Sequence, residues 1–358
     1  MSFLFAYRRF ALPFRAPVRT ANGPWAVREG LIVRVSDATG AVGYGEIAPV
    51  PWFGTETVDE AAAALQALAG RVDETQIAAL PVGLSCSRHG LRAALAVVGQ
   101  RGELAPPADA NMPGQRPGLQ LGAPNPAALQ LPVAALLPAG REALAAVAAK
   151  AELGFRVFKW KVGVGDNDEE LGLLDDLLAR LPGGARLRLD ANGAWDRRRA
   201  GRWLDRCAER PIEFVEQPVA PTARGADDLL LGLAGDFPTP LALDESLVHD
   251  GDVQRWLALG WPGIFIVKPS LLGDPAAVSA LLAQARAGVV FSSALETAVG
   301  AQAALRLAFA WPGERRPLGF GVYPLFADAR FDGPPAAPFV SLEDVGQLNP
   351  EAVWNALS

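Results

Sequence analysis

A closed α/β barrel carrying an α+β capping domain is the fold class this chain predicts, on three observations. Its 358 residues exceed one ordinary core and suit a barrel plus a smaller domain. From about residue 125, eight short apolar runs alternate with Ala- and Leu-rich helical stretches, the pattern of a (β/α)8-type ring in its (β/α)7β form. Before that point strands come first and helices follow. A doubly wound open sheet is the alternative for the second part.

In the first module, residues 1–105, YRRFALP (Tyr7 to Pro13) and GLIVRVS (Gly30 to Ser36) read as antiparallel strands, and GAVGYGE (Gly40 to Glu46) returns after a turn. The apolar start MSFLFAYRRF reads as a first strand, because its arginines follow the apolar stretch and no cleavage site appears. TVDEAAAALQAL (Thr57 to Leu68) has an N-cap threonine and acids in its first turn, so it is a helix. A second helix is expected over about Arg88 to Val98. The stretch from Gly102 to Asn125 is dense in Pro and Gly and reads as a linker. In the barrel, residues 125–324, the apolar runs end near Ala135, Lys161, Asp190, Glu216, Asp244, Lys268, Ser292 and Gly321. The Pro-rich tail, 325–358, is expected to fold back on the first module.

Half the residues are apolar and 20% are charged, so the chain folds into a globule. A net charge of −6 argues against a nucleic-acid surface, and no apolar stretch is long enough to span a membrane. Cys86 and Cys207 make neither a disulfide framework nor a metal cluster. The expected partner is a small molecule and the expected setting cytoplasmic.

Only four lysines occur, Lys150, Lys159, Lys161 and Lys268, against 29 arginines. Guanidinium cannot give up a proton at ordinary pH, so a chain averse to lysine keeps it where an amine is needed. Three of the four end or adjoin strand-like runs, FRVFKWKV and IFIVKP. Between them lie RLRLD, IEFVE and LALD, each ending in an acid. Lys161 to Asp190 is 29 residues, Asp190 to Glu216 is 26, Glu216 to Asp244 is 28 and Asp244 to Lys268 is 24. Each step is one strand–helix unit of roughly 30 residues, which puts all five groups at the C-terminal rim where barrel enzymes build their sites.

Three carboxylates without histidine or thiolate make an oxygen-rich site for a hard ion, Mg²⁺ or alternatively Mn²⁺. Lys159 and Lys161 stand two apart and point to one side of their strand. Like charge and partial burial are expected to lower one of their pKa values. With Lys268 across the ring, an amine faces each side of a metal-held carboxylate, which is equipment for removing a proton α to that carboxylate.

KWK (Lys159 to Lys161), DANGAW (Asp190 to Trp195), EQP (Glu216 to Pro218), DES (Asp244 to Ser246) and VKP (Val267 to Pro269) resemble, as an ordered set, the enolase superfamily in its muconate-lactonising subgroup. The resemblance covers the barrel and extends to the capping module. It implies Asp190, Glu216 and Asp244 as Mg²⁺ ligands, with Lys161 and Lys268 as facing amines and Lys159 beside them. It prefers Asp244 to Glu245 as third ligand; Glu245, one residue on, should point elsewhere. Asn192, Gln217 and Glu245 would hydrogen-bond around the ligands. FSSALETAVG (Phe291 to Gly300), RLD (Arg188 to Asp190) and EIAPVPWFGTET (Glu46 to Thr57) are similar to stretches of the subgroup's dehydratases that aromatise a succinyl-hydroxycyclohexadiene carboxylate on the way to menaquinone or phylloquinone. Arg188, Ser292, Ser293 and Trp52 would then touch this dicarboxylate. PLGFGV (Pro317 to Val322) lacks the Asp-x-Asp of the dipeptide epimerases. An N-succinylamino acid racemase is the alternative within the subgroup. A Schiff-base aldolase and a non-catalytic binder are alternatives outside it.

Trp25, Trp52 and Phe53 read either as a lid or as packing. Of Arg15, Arg19 and Arg28, one is a candidate for the succinyl carboxylate, while a solvated loop face is expected for each singly. His89 and His249 are expected at the surface or at helix ends. GVGDND (Gly163 to Asp168) lacks the third glycine of a dinucleotide fingerprint and reads as an anchored β/α loop. Lys150 has no role.

Overall fold

The computed structural model describes residues 2–20, 23–103 and 130–357. The linker read over 102–125 lies, beyond Glu103, outside them. The cap comprises β1 (Phe3–Thr20), β2 (Gly23–Ser36), β3 (Val42–Ile47), α1 (Val58–Ala67), β4 (Arg71–Val72), α2 (Glu74–Ala79) and α3 (Ser85–Glu103). Its strands form an antiparallel sheet ordered β3-β2-β1-β4. β1 and β2 outrun the expected strands, pairing from Leu4↔Ser36 to Thr20↔Gly23 with a register shift between Pro13 and Val18. α1 starts with a capping box: the Glu60 amide donates to the Thr57 hydroxyl at 3.2 Å, and the Thr57 amide to the Glu60 carboxylate at 2.7 Å. α3 lies so close on β3 that a Cβ on Gly45 would stand 1.9 Å from the Gly90 carbonyl oxygen.

Then follow β5 (Gln130–Pro132), β6 (Ala135–Leu137), α4 (Glu142–Glu152), β7 (Val157–Lys161), α5 (Asn167–Leu178), β8 (Arg186–Asp190), α6 (Arg197–Cys207), β9 (Ile212–Glu216), α7 (Ala226–Asp236), β10 (Leu241–Leu243), α8 (Asp250–Ala258), β11 (Ile264–Val267), α9 (Pro275–Gln284), β12 (Gly288–Phe291) and α10 (Ala298–Ala310). β6 to β12 pair in parallel, in sequence order. A short eighth stave closes the ring, with Leu318 bridging to Val133 and Gly319 to Ser292, both in parallel. Its Gly319 amide donates to Phe291 at 2.8 Å, and its Leu318 amide to Pro132 at 2.8 Å. A Cβ on Gly319 would meet the Ser292 hydroxyl at 2.4 Å, so this closure requires glycine. The alternation of strand and helix thus yields the barrel and excludes the open sheet.

Two apolar cores stabilise the two parts. Trp160, Trp203 and Trp195 anchor the barrel's outer layer, Trp195 and Trp203 stacking at 5.0 Å. The cap core of Leu31, Val33, Ile47 and Leu91 also takes in Leu271 and Ala294 from barrel loops, so the two parts share buried surface. The tail, β13 (Phe339–Ser341), α11 (Leu342–Gln347) and α12 (Pro350–Ala356), touches both. β13 pairs with β5, Gln302 of α10 donates to Val345 and Leu348, and Arg8 of β1 donates to the Trp354 carbonyl at 2.6 Å. Among the described residues no helix is long and apolar enough to cross a membrane.

Candidate active site

Strand order and register assemble the site. β7 to β11 are consecutive neighbours, so Lys161, Asp190, Glu216, Asp244 and Lys268 emerge in a row at one end of the barrel. Lys161 pairs in register with Asp190, and Asp190 with Glu216. They border a cavity of about 460 Å³ floored by Lys159, Lys161, Asp190, Asp244 and Lys268, walled by Ser292 to Leu295, and roofed from the cap by Trp25, Val50, Trp52 and Phe53. Glu216 lies just beneath, 1% exposed.

The three amines differ in their partners. The Lys159 ammonium is held between Asp190 at 3.0 Å and Glu216 at 2.7 Å. Burial pulls its pKa down, but Asp190, Glu216 and Asp244 outweigh burial and raise it above the ordinary lysine value. Lys159 is therefore raised, against the lowering expected within the lysine pair: attraction to the acids exceeds the cost of burial. Lys268 pairs with Asp244, lies 5.0 Å from the Phe53 ring centre, and is likewise raised, Asp244 and Glu245 outweighing its burial. Lys161 makes no ion pair among the described residues; its Nζ donates to the Arg19 carbonyl of the cap at 3.1 Å.

Burial drives Glu216 far above the usual carboxylate range; Lys159 opposes this, while Asp190 and Asp244 add to it. For Asp244 burial acts upward, but Lys268 and Lys159 hold it below its ordinary value. Glu245 faces the cavity, a correction to the expectation that it points elsewhere. β10 stops at Leu243, so strand alternation no longer governs the two acids that follow. Burial, then Asp244 and Asp190, push Glu245 up to about 7. One of its oxygens accepts from Asn192 at 2.9 Å; the other, like the Asn192 carbonyl oxygen, is buried with no partner among the described residues. Gln217, fully buried at φ +36°, accepts from the Asp244 and Ser246 amides and so fixes the Asp244 turn.

Asp190 and Glu216 turn toward Lys159, and Asp244 toward Lys268. Among the described residues no three acids already close on one point as a metal cage. The donor set nonetheless fits a hard cation. It is all oxygen, three carboxylates line the cavity with Glu216 beneath them, three lysines face them, and two buried oxygens at the rim lack partners.

Other expected contacts fall differently. Arg188 does not line the cavity. Two residues before Asp190, it points into the barrel one layer deeper, where it forms a bidentate pair with Glu213 (2.8 and 3.2 Å) and donates to the Pro317 carbonyl. Arg28 is not solvated but 1% exposed, its guanidinium bonded to backbone carbonyls. Arg15 donates to the Phe326 carbonyl, and Arg19 lines the cavity. Ser292 and Ser293 line it too, though the Ser293 hydroxyl donates to Glu296. His249 caps α8, whereas His89 is buried inside α3, away from the surface role expected, because it faces the packed side of that helix. In GVGDND, the amides of Gly163, Val164 and Gly165 all donate to Glu170, so the loop's anion cradle is filled by its own helix. Phe53, read as lid or packing, lies over Lys268, whereas the buried acids Glu46 and Glu213 have no role in the sequence reading. Glu46, a lone acid immediately before the apolar run from Ile47 to Trp52, carried the one usable signal.

Residues 142–338 match the family described as Enolase C-terminal domain-like, and residues 4–98 match the MenC N-terminal domain. The chain is 40% identical over 324 residues to an o-succinylbenzoate synthase of Thermosynechococcus vestitus, covering 88% of this chain and 91% of the relative. It is 30% identical over 315 residues to one of Yersinia pseudotuberculosis, covering 85% of each. Among solved structures it is similar to o-succinylbenzoate synthase from Thermosynechococcus elongatus with Mg in the active site, at TM-score 0.79 and 36% identity over 99% of both chains. The L-Ala-D/L-Glu epimerase of Bacillus subtilis shares the fold, with TM-score 0.76 and 21% identity over 95% of this chain and 96% of that one.

Proposed function

The chain belongs to the enolase superfamily and, within it, to the o-succinylbenzoate synthases, and from that premise we propose how its residues carry the reaction. The enzyme is a Mg²⁺-dependent lyase that removes water from a succinyl-hydroxycyclohexadiene carboxylate to give o-succinylbenzoate, a step of menaquinone or phylloquinone biosynthesis. One observation carries the residue assignments: Lys161 and Lys268 stand at opposite ends of an unbroken row of acidic strand ends.

Asp190, Glu216 and Asp244 would hold Mg²⁺, leaving Lys159 to neutralise the Asp190–Glu216 side. When bound, Mg²⁺ supplies Lewis-acid charge to the substrate's ring carboxylate. Lys161, the amine without a carboxylate partner, takes the proton α to that carboxylate. The ammonium so formed gives this proton to the departing hydroxyl on the same face, a syn elimination that leaves the ring aromatic. Lys268, facing from the other side under Phe53, stabilises the negative charge that develops meanwhile. Trp25, Trp52 and Phe53 exclude water above the ring. Arg19, the one arginine lining the cavity among the described residues, reaches the succinyl carboxylate. A cavity of about 460 Å³ suits a small dicarboxylate. A cytoplasmic setting belongs to the proposal, supported by two buried free cysteines.

Two lysines facing one carboxylate also favour a second reading, racemisation of N-succinyl amino acids. The test runs both reactions on the Mg²⁺-loaded enzyme, following loss of the cyclohexadiene absorbance and deuterium exchange with inversion. Efficient dehydration supports the first reading; exchange without dehydration would replace it by the second.

A further inference from the structure

Arg28 belongs to β2, yet its guanidinium bonds both walls of the cavity. It donates to the Ala48 and Pro49 carbonyls, each at 2.6 Å, just before the roof residues Val50 and Trp52. Its Nε donates at 3.2 Å to the Leu295 carbonyl on the barrel loop after β12. Leu295 sits at φ +60°, a conformation costly for a leucine and held here by its surroundings. The guanidinium also lies 5.0 Å from the Trp25 ring centre, and Trp25 meets Trp52 edge-on at 4.6 Å. One buried cation therefore joins roof, lid and wall.

Glu46, which attracts Arg28 but forms no ion pair with it among the described residues, makes the matching connection. Glu46 of β3, 1% exposed, accepts from the Thr297 and Gly300 amides at 3.0 and 2.9 Å and from the Thr297 hydroxyl, where the wall loop enters α10. A Cβ on Gly300 would lie 2.9 Å from a Glu46 oxygen, so glycine there permits the approach. Burying an ionisable group is costly, and apolar residues of the same size often stabilise as well or better, so two such residues bridging cap and barrel call for a role other than stability. The geometry points to Arg28 and Glu46 as a positioning pair that sets the gap between the cap's roof and the barrel's wall loop, and thereby governs how substrate is held. Neither touches the reacting atoms. This rests on the cavity being the dehydration site.

The test is Arg28→Lys in the full-length enzyme, which keeps the charge but cannot reach the four carbonyls, of Glu29, Ala48, Pro49 and Leu295, that the guanidinium fork reaches. With Mg²⁺ present we expect kcat/KM for dehydration to fall about 10²-fold through misplaced substrate, chiefly in KM. Mg²⁺ affinity by calorimetry should stay unchanged, because the acidic strand ends β8 to β10 lie outside the contact. Binding of o-succinylbenzoate, read by tryptophan fluorescence, should weaken in parallel with KM. Thr297→Val, which keeps shape and removes one donor to Glu46 together with the hydroxyl cap of α10, should show the same pattern more weakly and serves if Arg28→Lys does not fold. Unchanged KM in the variant that folds, or Mg²⁺ affinity falling in step with activity, overturns the proposal. A wild-type enzyme without dehydratase activity would instead overturn the functional reading beneath it.

Discussion

The barrel rim and the cap contribute to one cavity by opposite means. At the rim, ionisable groups sit on consecutive strands whose positions are fixed by parallel hydrogen bonding, as in the registered pairs Lys161↔Asp190 and Asp190↔Glu216. The cap contributes aromatic and aliphatic side chains and Arg19 on a hairpin end and a loop, which Arg28 holds from behind through backbone carbonyls. The rim can therefore place a proton donor to within a fraction of an ångström, while the cap can only shape and close. Chemistry should be lost at the rim, and fit at the cap.

Lys161→Arg is the sharpest break. It leaves a cation at the strand end but no amine able to accept a proton, so kcat should fall by about 10³-fold or more. Circular dichroism and Mg²⁺ binding should be unaltered, since Lys161 is in no ion pair among the described residues. A residual rate near wild type would remove the base from the rim. Chelation should be as severe. Without Mg²⁺ activity should vanish and return on its addition, while the fold persists, because Lys159 and Lys268 already face the acids. Unfolding on chelation would make the metal structural. Phe53→Leu tests the cap. It removes the ring beside Lys268 while keeping an apolar roof, and should reduce kcat/KM by about tenfold with Mg²⁺ affinity constant, on the scale of a modest cation–π contact. A loss as deep as that of Lys161→Arg would erase the distinction between the two regions.

The same difference explains what the sequence disclosed. Acids and lysines at strand ends, spaced by 24 to 29 residues, were legible because one strand–helix unit sets the period. Arg28 was not, because its partners Ala48, Pro49 and Leu295 act through carbonyls, which leave no trace in side-chain pattern. Arg188 was legible in direction but not in depth: two residues along a strand keep the face and move a layer inward, onto Glu213. Glu245 was misread because strand alternation was carried past Leu243, where the strand ends. The barrel's closure was legible as well: PLGFGV, the eighth apolar run, is the closing stave, though it is only two bridges long.

The smallest effect on catalysis is expected from the cap's own titratable group. His89 is buried in α3, and neither ring nitrogen has a partner among the described residues. Burial, with Arg92 adding to it and Asp274 opposing, lowers its pKa from 6.5 to about 4. Below pH 6.5 the unfolded chain therefore takes up a proton that the folded protein refuses until about pH 4. Bound protons are then more numerous in the unfolded state, so stability rises with pH across this window. The His89 contribution is complete above it and is lost as pH falls through it, by about 3 kcal/mol at most. His89→Phe, similar in shape, should change stability by less than about 1.5 kcal/mol at pH 7.5 and flatten the decline between pH 6.5 and 4. Urea unfolding of both proteins at pH 7.5 and 5 measures this, with kcat/KM at pH 7.5 unchanged within about twofold, as for a group remote from the reacting atoms. If both proteins lose stability in parallel, His89 is not the acid-sensitive group of the cap; if kcat/KM falls with it, the cap reaches further into the chemistry than its contacts imply.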